Sequence, residues 1–464
     1  MRNSSKWGRT LLLFIILAAA GSCNVFNPSP LIENPGDPWY YDRAFIAHNF
    51  ETKSAYTMYG LHLAENDRCI IYGENSWARQ ISPYMKQRIQ EVAQEYSEKI
   101  YPRVTEAFGE PLDIDQNNKL IIILLDIIDG IPPGTDSYIA GYFYATDMGN
   151  STNSNKGEII YMDISPGFPG TQPFNATIAH ELQHLLRYSA EYRQKTRGTP
   201  LWLNEGLSTA AEYIYLEEYL DDSIWFYNED PQGTIAEGNN FFYWESTDLA
   251  DYSTAYLFFQ WLRIQTPPTE DDPKGFRIYK KICEYLDATS PDDNSPGTAA
   301  VVRAAKELID KDLDSWEKLL RAWLTANYLQ VADKTAPLGL YGYNNEFEDL
   351  AFHPYSGNEK IKWLLPGEGV FSTLPAGGFT PGDSGKHIRY ALLREGQAPD
   401  YNPELKTYSG NFLLTYNAGD ADGEAEAAYV TGIPAPKQKT TTPRTIRIGA
   451  PRRIDGTSLL PPWK

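Results

Sequence analysis

From residue 40 onward, apolar and polar positions alternate in short runs, with residues 68–72 the clearest, so the stretch 40–80 predicts strands. Past Ser82 and Pro83, a hydroxyl cap followed by a first-turn proline, the period lengthens to that of a helix from Met85 to about Phe108. Pro102 is expected to kink or break it. A polar turn at 113–118 leads into the apolar strand 119–125, and two further strands, 139–145 and 158–164, flank the polar loop 147–156. The pattern then turns helical over 174–190, 203–220, 252–265, 273–287, 297–309 and 314–330. From about 335 it changes again, to Gly-, Pro- and Tyr-rich sequence with short alternating runs at 386–393 and 410–416. The expected class is α+β: a small twisted sheet, a mainly helical half, then a smaller C-terminal β domain.

The N-terminus has its own grammar. Arg2, Lys6 and Arg9 precede about ten apolar residues and the small-residue stop Gly21-Ser22-Cys23, a secretory signal too short to span a bilayer as a mature helix. The stop resembles a bacterial lipobox, although Ala20 stands where leucine is usual. That resemblance implies lipidation of Cys23 and attachment to a membrane of the bacterial cell envelope, facing periplasm or exterior. An ordinary cleaved signal, and so secretion, is the alternative. The expected organisation is a signal at 1–22, a lipidated and flexible tether at 23–39, a catalytic domain at 40–335, a β domain at 336–433 and a basic flexible tail at 434–464.

With 61 acidic against 41 basic side chains the chain carries a formal charge of −20, which repels phosphate backbones and excludes nucleic acid as the expected partner. The same surplus favours basic peptide substrates. Three cysteines cannot build a disulfide scaffold. With Cys23 as an anchor, Cys69 and Cys283 either pair or stay as two buried thiols.

The chemistry centres on His180-Glu-Leu-Gln-His184. Helical positions i and i+4 share a face, so both imidazoles can reach one metal ion, and Glu181 lies about 100° round the helix, within reach of a water on that metal. Ile178, Leu182, Leu185 and Leu186 give the helix a buried side. A metzincin would need glycine at 187 and histidine at 190, where the chain has Arg187 and Ala190. Instead residues 201–212 open a second amphipathic helix behind a loop with Gly198 and Pro200. Folded back, it offers Glu205 as third ligand and leaves the fourth zinc position open for water. Glu212, on the same face, is either an acceptor for a histidine N–H or a surface glutamate. Asp113, Asp115 and Asn117 have calcium-loop spacing, but Asn118 and Leu124 replace the required glycine and glutamate, so a solvated turn is expected.

Trp202-Leu-Asn-Glu-Gly-Leu-Ser208 following the first motif resembles the gluzincin metallopeptidases. The closer likeness, over roughly residues 85–265, is to the hyicolysin family of secreted bacterial metallopeptidases, which pairs these motifs with an Asp-rich turn and strand like 113–125 and a strand like 158–164. The resemblance implies a zincin-type catalytic domain, Zn2+ held by His180, His184 and Glu205, Glu181 as catalytic acid and base, and a peptide or protein substrate. It also implies an oxyanion donor downstream: Tyr252 first, with Tyr256 and His353 as rivals. The aminopeptidase motif Gly-x-Met-Glu-Asn is missing, and 158–164 is expected to be an edge strand for an extended peptide, which favours internal cleavage. An aminopeptidase on the same scaffold, or a binding lipoprotein with a structural zinc, are the alternatives.

Overall fold

The computed structural model describes residues 40–130, 138–196, 198–239, 242–243, 249–288, 296–347, 350–357, 359–401, 412–420 and 423–431. The signal, Cys23, the tether and the basic tail lie outside the described residues. Contacts divide the chain between Tyr41 and Asp42, and the second unit carries all the elements that follow.

Strands β1 (Arg43–Asn49), β2 (Ser54–Glu65) and β3 (Cys69–Glu74) form an antiparallel meander, followed by the short α1 (Asn75–Ala78). The Ser82 side chain accepts from the Met85 N–H and starts α2 (Pro83–Glu95). Of the kink or break expected at Pro102, the break does not occur. A π-type turn at Tyr96–Ile100, with Tyr101 N–H bonded to Tyr96 C=O, accommodates the proline, and the chain runs on as α3 (Tyr101–Phe108). Then come β4 (Leu120–Leu125), β5 (Gly141–Phe143) and β6 (Ile159–Asp163), giving a six-stranded sheet in the order β1-β2-β3-β4-β6-β5.

All six residues of β4 are buried, because both faces of the sheet are covered. Ile121, Ile123 and Leu125 pack with Phe45, Met58 and Tyr161 on one side. Leu120, Ile122 and Leu124 face the main core, which they share with Ile178, Leu182, Leu185 and Leu186 of α4 (Gln172–Gln194). The apolar stripe read from the sequence is what seats α4 on the sheet.

The helical half continues through α5 (Leu201–Leu216), α6 (Asp221–Glu229), α7 (Leu249–Gln265), α8 (Arg277–Asp287), α9 (Pro296–Leu308) and α10 (Trp316–Leu329). The last strands are β7 (Ile361–Leu364), β8 (Gly369–Thr373), β9 (Ile388–Leu393), β10 (Phe412–Asn417) and β11 (Glu426–Tyr429). They form a three-stranded sheet β8-β10-β9 and a two-stranded sheet β11-β7. Phe371, Ala391, Leu393, Leu414 and Tyr416 of the first sheet join the same core as Leu320 and Leu324 of α10. The architecture is the expected α+β class. Cys69 and Cys283 are both free and buried, so of the two readings the structure has separate thiols.

One expectation is corrected. Strand 158–164 is not an edge: β6 is parallel to β4 on one side and antiparallel to β5 on the other. The sheet ends at β5, which among the described residues pairs only with β6. A β-strand's neighbours are set by long-range packing, which a local pattern does not encode.

Candidate metal centre

Helix α4 starts where the Thr171 side chain accepts from the Phe174 N–H, with Pro173 in its first turn. It is held down by more than its apolar stripe. Arg187, 3% exposed, forms an ion pair with Asp287 of α8 and lies near Glu191 one turn on. The residue that stands against a metzincin thus anchors the helix that carries both histidines. The next helix, α5, folds back against α4 after a short loop, and its Trp202 wedges between Phe259 of α7 and Trp316 of α10. Gly206 allows the approach of α7, since a Cβ there would lie 2.2 Å from the Phe259 ring.

This packing brings His180, His184 and Glu205 together, with one donor atom from each within 4.8 Å of the others. His180 Nε2 lies 3.3 Å from Glu205 Oε2, and His184 Nε2 lies 3.6 Å from Glu205 Oε1. Ligand atoms about 2.0–2.1 Å from a tetrahedral zinc stand roughly 3.3 Å from one another, so spacing and donor set fit that ion. The three residues are 0%, 8% and 1% exposed, and Glu181 is 1% exposed beside them.

The far sides of both imidazoles are engaged. His180 Nδ1 is 2.6 Å from Glu212 Oε1, so of the two readings for Glu212 the histidine acceptor is the one found. His184 Nδ1 is 3.1 Å from Ser208 Oγ, whose hydroxyl is in turn 2.5 Å from Gln183 Oε1. Ser208 lies in the second motif, and its spacing of three residues from Glu205, which puts both on one face of α5, is a signal for this contact that the motif reading leaves unused. Contacts of this kind fix ring orientation and tautomer before a metal arrives.

Tyr252 sits in the first turn of α7 and, with Glu212, lines a cavity of about 460 Å³ next to the ligand helices. Its two rivals lie elsewhere. The Tyr256 hydroxyl is buried and accepts from the Leu220 N–H at 3.0 Å, and His353 packs edge-on against Tyr227. Neither is among the described residues that line the cavity.

A second group, Asp113, Asp115 and Glu158, also gathers carboxylates. Each also helps to close the turn: Asp113 accepts from the Asn118 N–H, Asp115 from the Asn117 side-chain amide, and Glu158 from the Ile114 N–H. No described helix is long and apolar enough to cross a membrane.

No family model matches the chain. The neutral metalloprotease ShpI of Staphylococcus hyicus is 30% identical to it over 314 residues, which are 65% of this chain and 66% of that protein. The chain therefore spans just under two thirds of the length of the curated relative it matches. Among solved structures, the ZmpB metallopeptidase from Clostridium perfringens is similar over 82% of this chain and 68% of its own, at 14% identity. The TM-score of that superposition is 0.32, too loose to carry an argument. On its sequence, the chain is a relative of the neutral metalloprotease ShpI, in keeping with the likeness of its two motifs to the hyicolysin metallopeptidases.

Proposed function

We propose that this protein is an extracytoplasmic zinc endopeptidase, held at the cell envelope through lipidated Cys23, with the catalytic domain at 40–335 and a β domain after it. The observation that carries the peptidase reading is the donor triad: two imidazoles from one helix and a carboxylate from the next, spaced 3.3 and 3.6 Å. Its relationship to a neutral metalloprotease supports the same reading. His180, His184 and Glu205 would hold the zinc ion, which would supply Lewis-acid polarisation of the scissile carbonyl and a water nucleophile near neutral pH.

The remaining steps belong to the chain. Glu181 accepts the proton of the attacking water and returns it to the departing amine. Tyr252, at the mouth of α7, donates to the oxyanion that develops on the former carbonyl oxygen. Glu212 and Ser208 keep the imidazoles turned toward the metal. The outer edge of β5 receives the substrate as an added strand. Gly141 on that strand brings it close to α4, since a Cβ there would stand 3.0 Å from the Thr177 methyl.

The test is metal content together with hydrolysis of casein and of aminoacyl anilides. Wild type should bind one zinc and cleave casein, and Glu181→Gln should keep the zinc and lose about 100-fold or more in kcat. Zinc-loaded wild type that cleaves neither substrate, like Glu181→Gln, would sink the peptidase reading. Cleavage of the anilides alone would make the protein an aminopeptidase.

A further inference from the structure

We propose that the cavity beside the metal centre is the subsite for a basic side chain, a lysine or arginine of the substrate next to the scissile bond. This rests on the peptidase reading and adds the class of peptide to it. The cavity, about 460 Å³, falls within the range of pockets that take small molecules or side chains, roughly 300–1,000 Å³. It reaches the site through Glu212, which is bonded to His180, and through Thr177, one turn before His180 on α4.

Its walls have a particular composition. Leu216, Leu220 and Phe226 supply apolar surface, while Glu218, Asp221 and Asp222 add carboxylates to that of Glu212. Among the described residues that line it there is no lysine, arginine or histidine. Asp221 and Asp222 also complement the N-terminal dipole of α6. That does not explain Glu218, which precedes the helix and accepts from Gln172 of α4 at 3.2 Å, joining two sides of the cavity.

A concave surface of one sign concentrates the opposite charge. Apolar surface beside carboxylates matches an aliphatic stem carrying an ammonium or guanidinium head. An acidic side chain would be repelled there, and an aliphatic one would desolvate carboxylates without pairing them.

The test uses the full zinc-loaded chain and N-acetylated, internally quenched peptides that differ only at the two positions flanking the cleaved bond. Lysine and arginine should exceed leucine by about tenfold or more in kcat/KM at one of these positions, with glutamate slowest. Raising the salt to about 0.5 M should shrink the preference. In the Glu218→Gln/Asp221→Asn/Asp222→Asn variant it should collapse to within about threefold, with the basic peptides slowed and the leucine peptide no slower than in wild type. If that variant melts early, exposed Asp221→Asn alone carries the test, with a smaller loss of preference and at most a small drop in melting temperature from the lost helix-dipole interaction.

A wild type indifferent to basic residues, or a preference that survives neutralisation, would overturn the assignment. So would faster cleavage of non-acetylated leucine peptides, which would give the cavity to a terminal amine. Failure to cleave any peptide would overturn the peptidase reading itself, and that outcome is distinct from cleavage without preference.

Discussion

His180 and His184 are oriented by unequal partners: a carboxylate for the first, a hydroxyl for the second. A carboxylate there would raise the basicity of its imidazole and offset part of a bound ion's charge. Glu212→Ala should therefore lower zinc affinity by about 10–100-fold in a chelator competition, and Glu212→Gln, which keeps an acceptor, should lose less. Equal affinities for all three proteins would show that Glu212 does not orient the ligand. Glu205→Ala should empty the site, and full zinc retention with normal activity would mean that another residue is the third ligand. These residues were legible because HExxH and Trp-Leu-Asn-Glu-Gly are local patterns with fixed helical geometry. The acidic walls of the cavity were not, because Glu218, Asp221 and Asp222 gain meaning only where α4, α6 and α7 converge.

The two ligand helices work as one hairpin, and their fit against α7 depends on Gly206. Gly206→Ala improves helix propensity but drives a methyl into the buried Phe259 ring, and crowding in a close-packed core costs about 1–3 kcal/mol. The expected result is a lower unfolding midpoint and a shift of Glu205 that weakens zinc; a variant as stable as wild type would show that Phe259 has room to yield. At this scale most helices and strands could be read from period alone. The helix α6 could not: it is short, and its N-cap residue Leu220 offers no side-chain cap. The order of strands escaped as well. The chain visits β5 before β6 yet places β6 inside, an order that burial alone does not encode, since Gly141–Phe143 of β5 are as buried as Ile159–Asp163 of β6.

For the whole molecule, the C-terminal strands are not an appendage to the core. Phe371, Leu414 and Tyr416 belong to the apolar cluster that includes β4, so a chain ending at residue 335 would expose their partners on α10. It should be poorly soluble and lose its cooperative melt; a soluble truncation with the wild-type midpoint would show that the β region is dispensable. Buried acids set the pH response. Burial pushes Asp147 up to about 6 and Glu158 and Asp163 up to about 7, against roughly 4 in the unfolded chain. The folded state therefore binds more protons in that window, and the stability these groups contribute is lost as pH rises from about 4 through 7. Melting temperatures at pH 5 and pH 8 should show a drop in wild type that is smaller in Glu158→Gln, whose amide oxygen can still accept from Ile114; equal drops would remove Glu158 from the account. Finally, His180, Glu181, His184, Glu205, Ser208 and Glu212 all lie within two consecutive helices joined by a short loop. Closing that hairpin costs little chain entropy compared with assembling the sheet, so the ligand set belongs to the fast-forming, low-contact-order part of the molecule. On refolding with cobalt(II), the metal's visible absorption should develop before the tryptophan signal from α10, whose partners arrive last along the chain; the reverse order would show that the nest is built by the finished core.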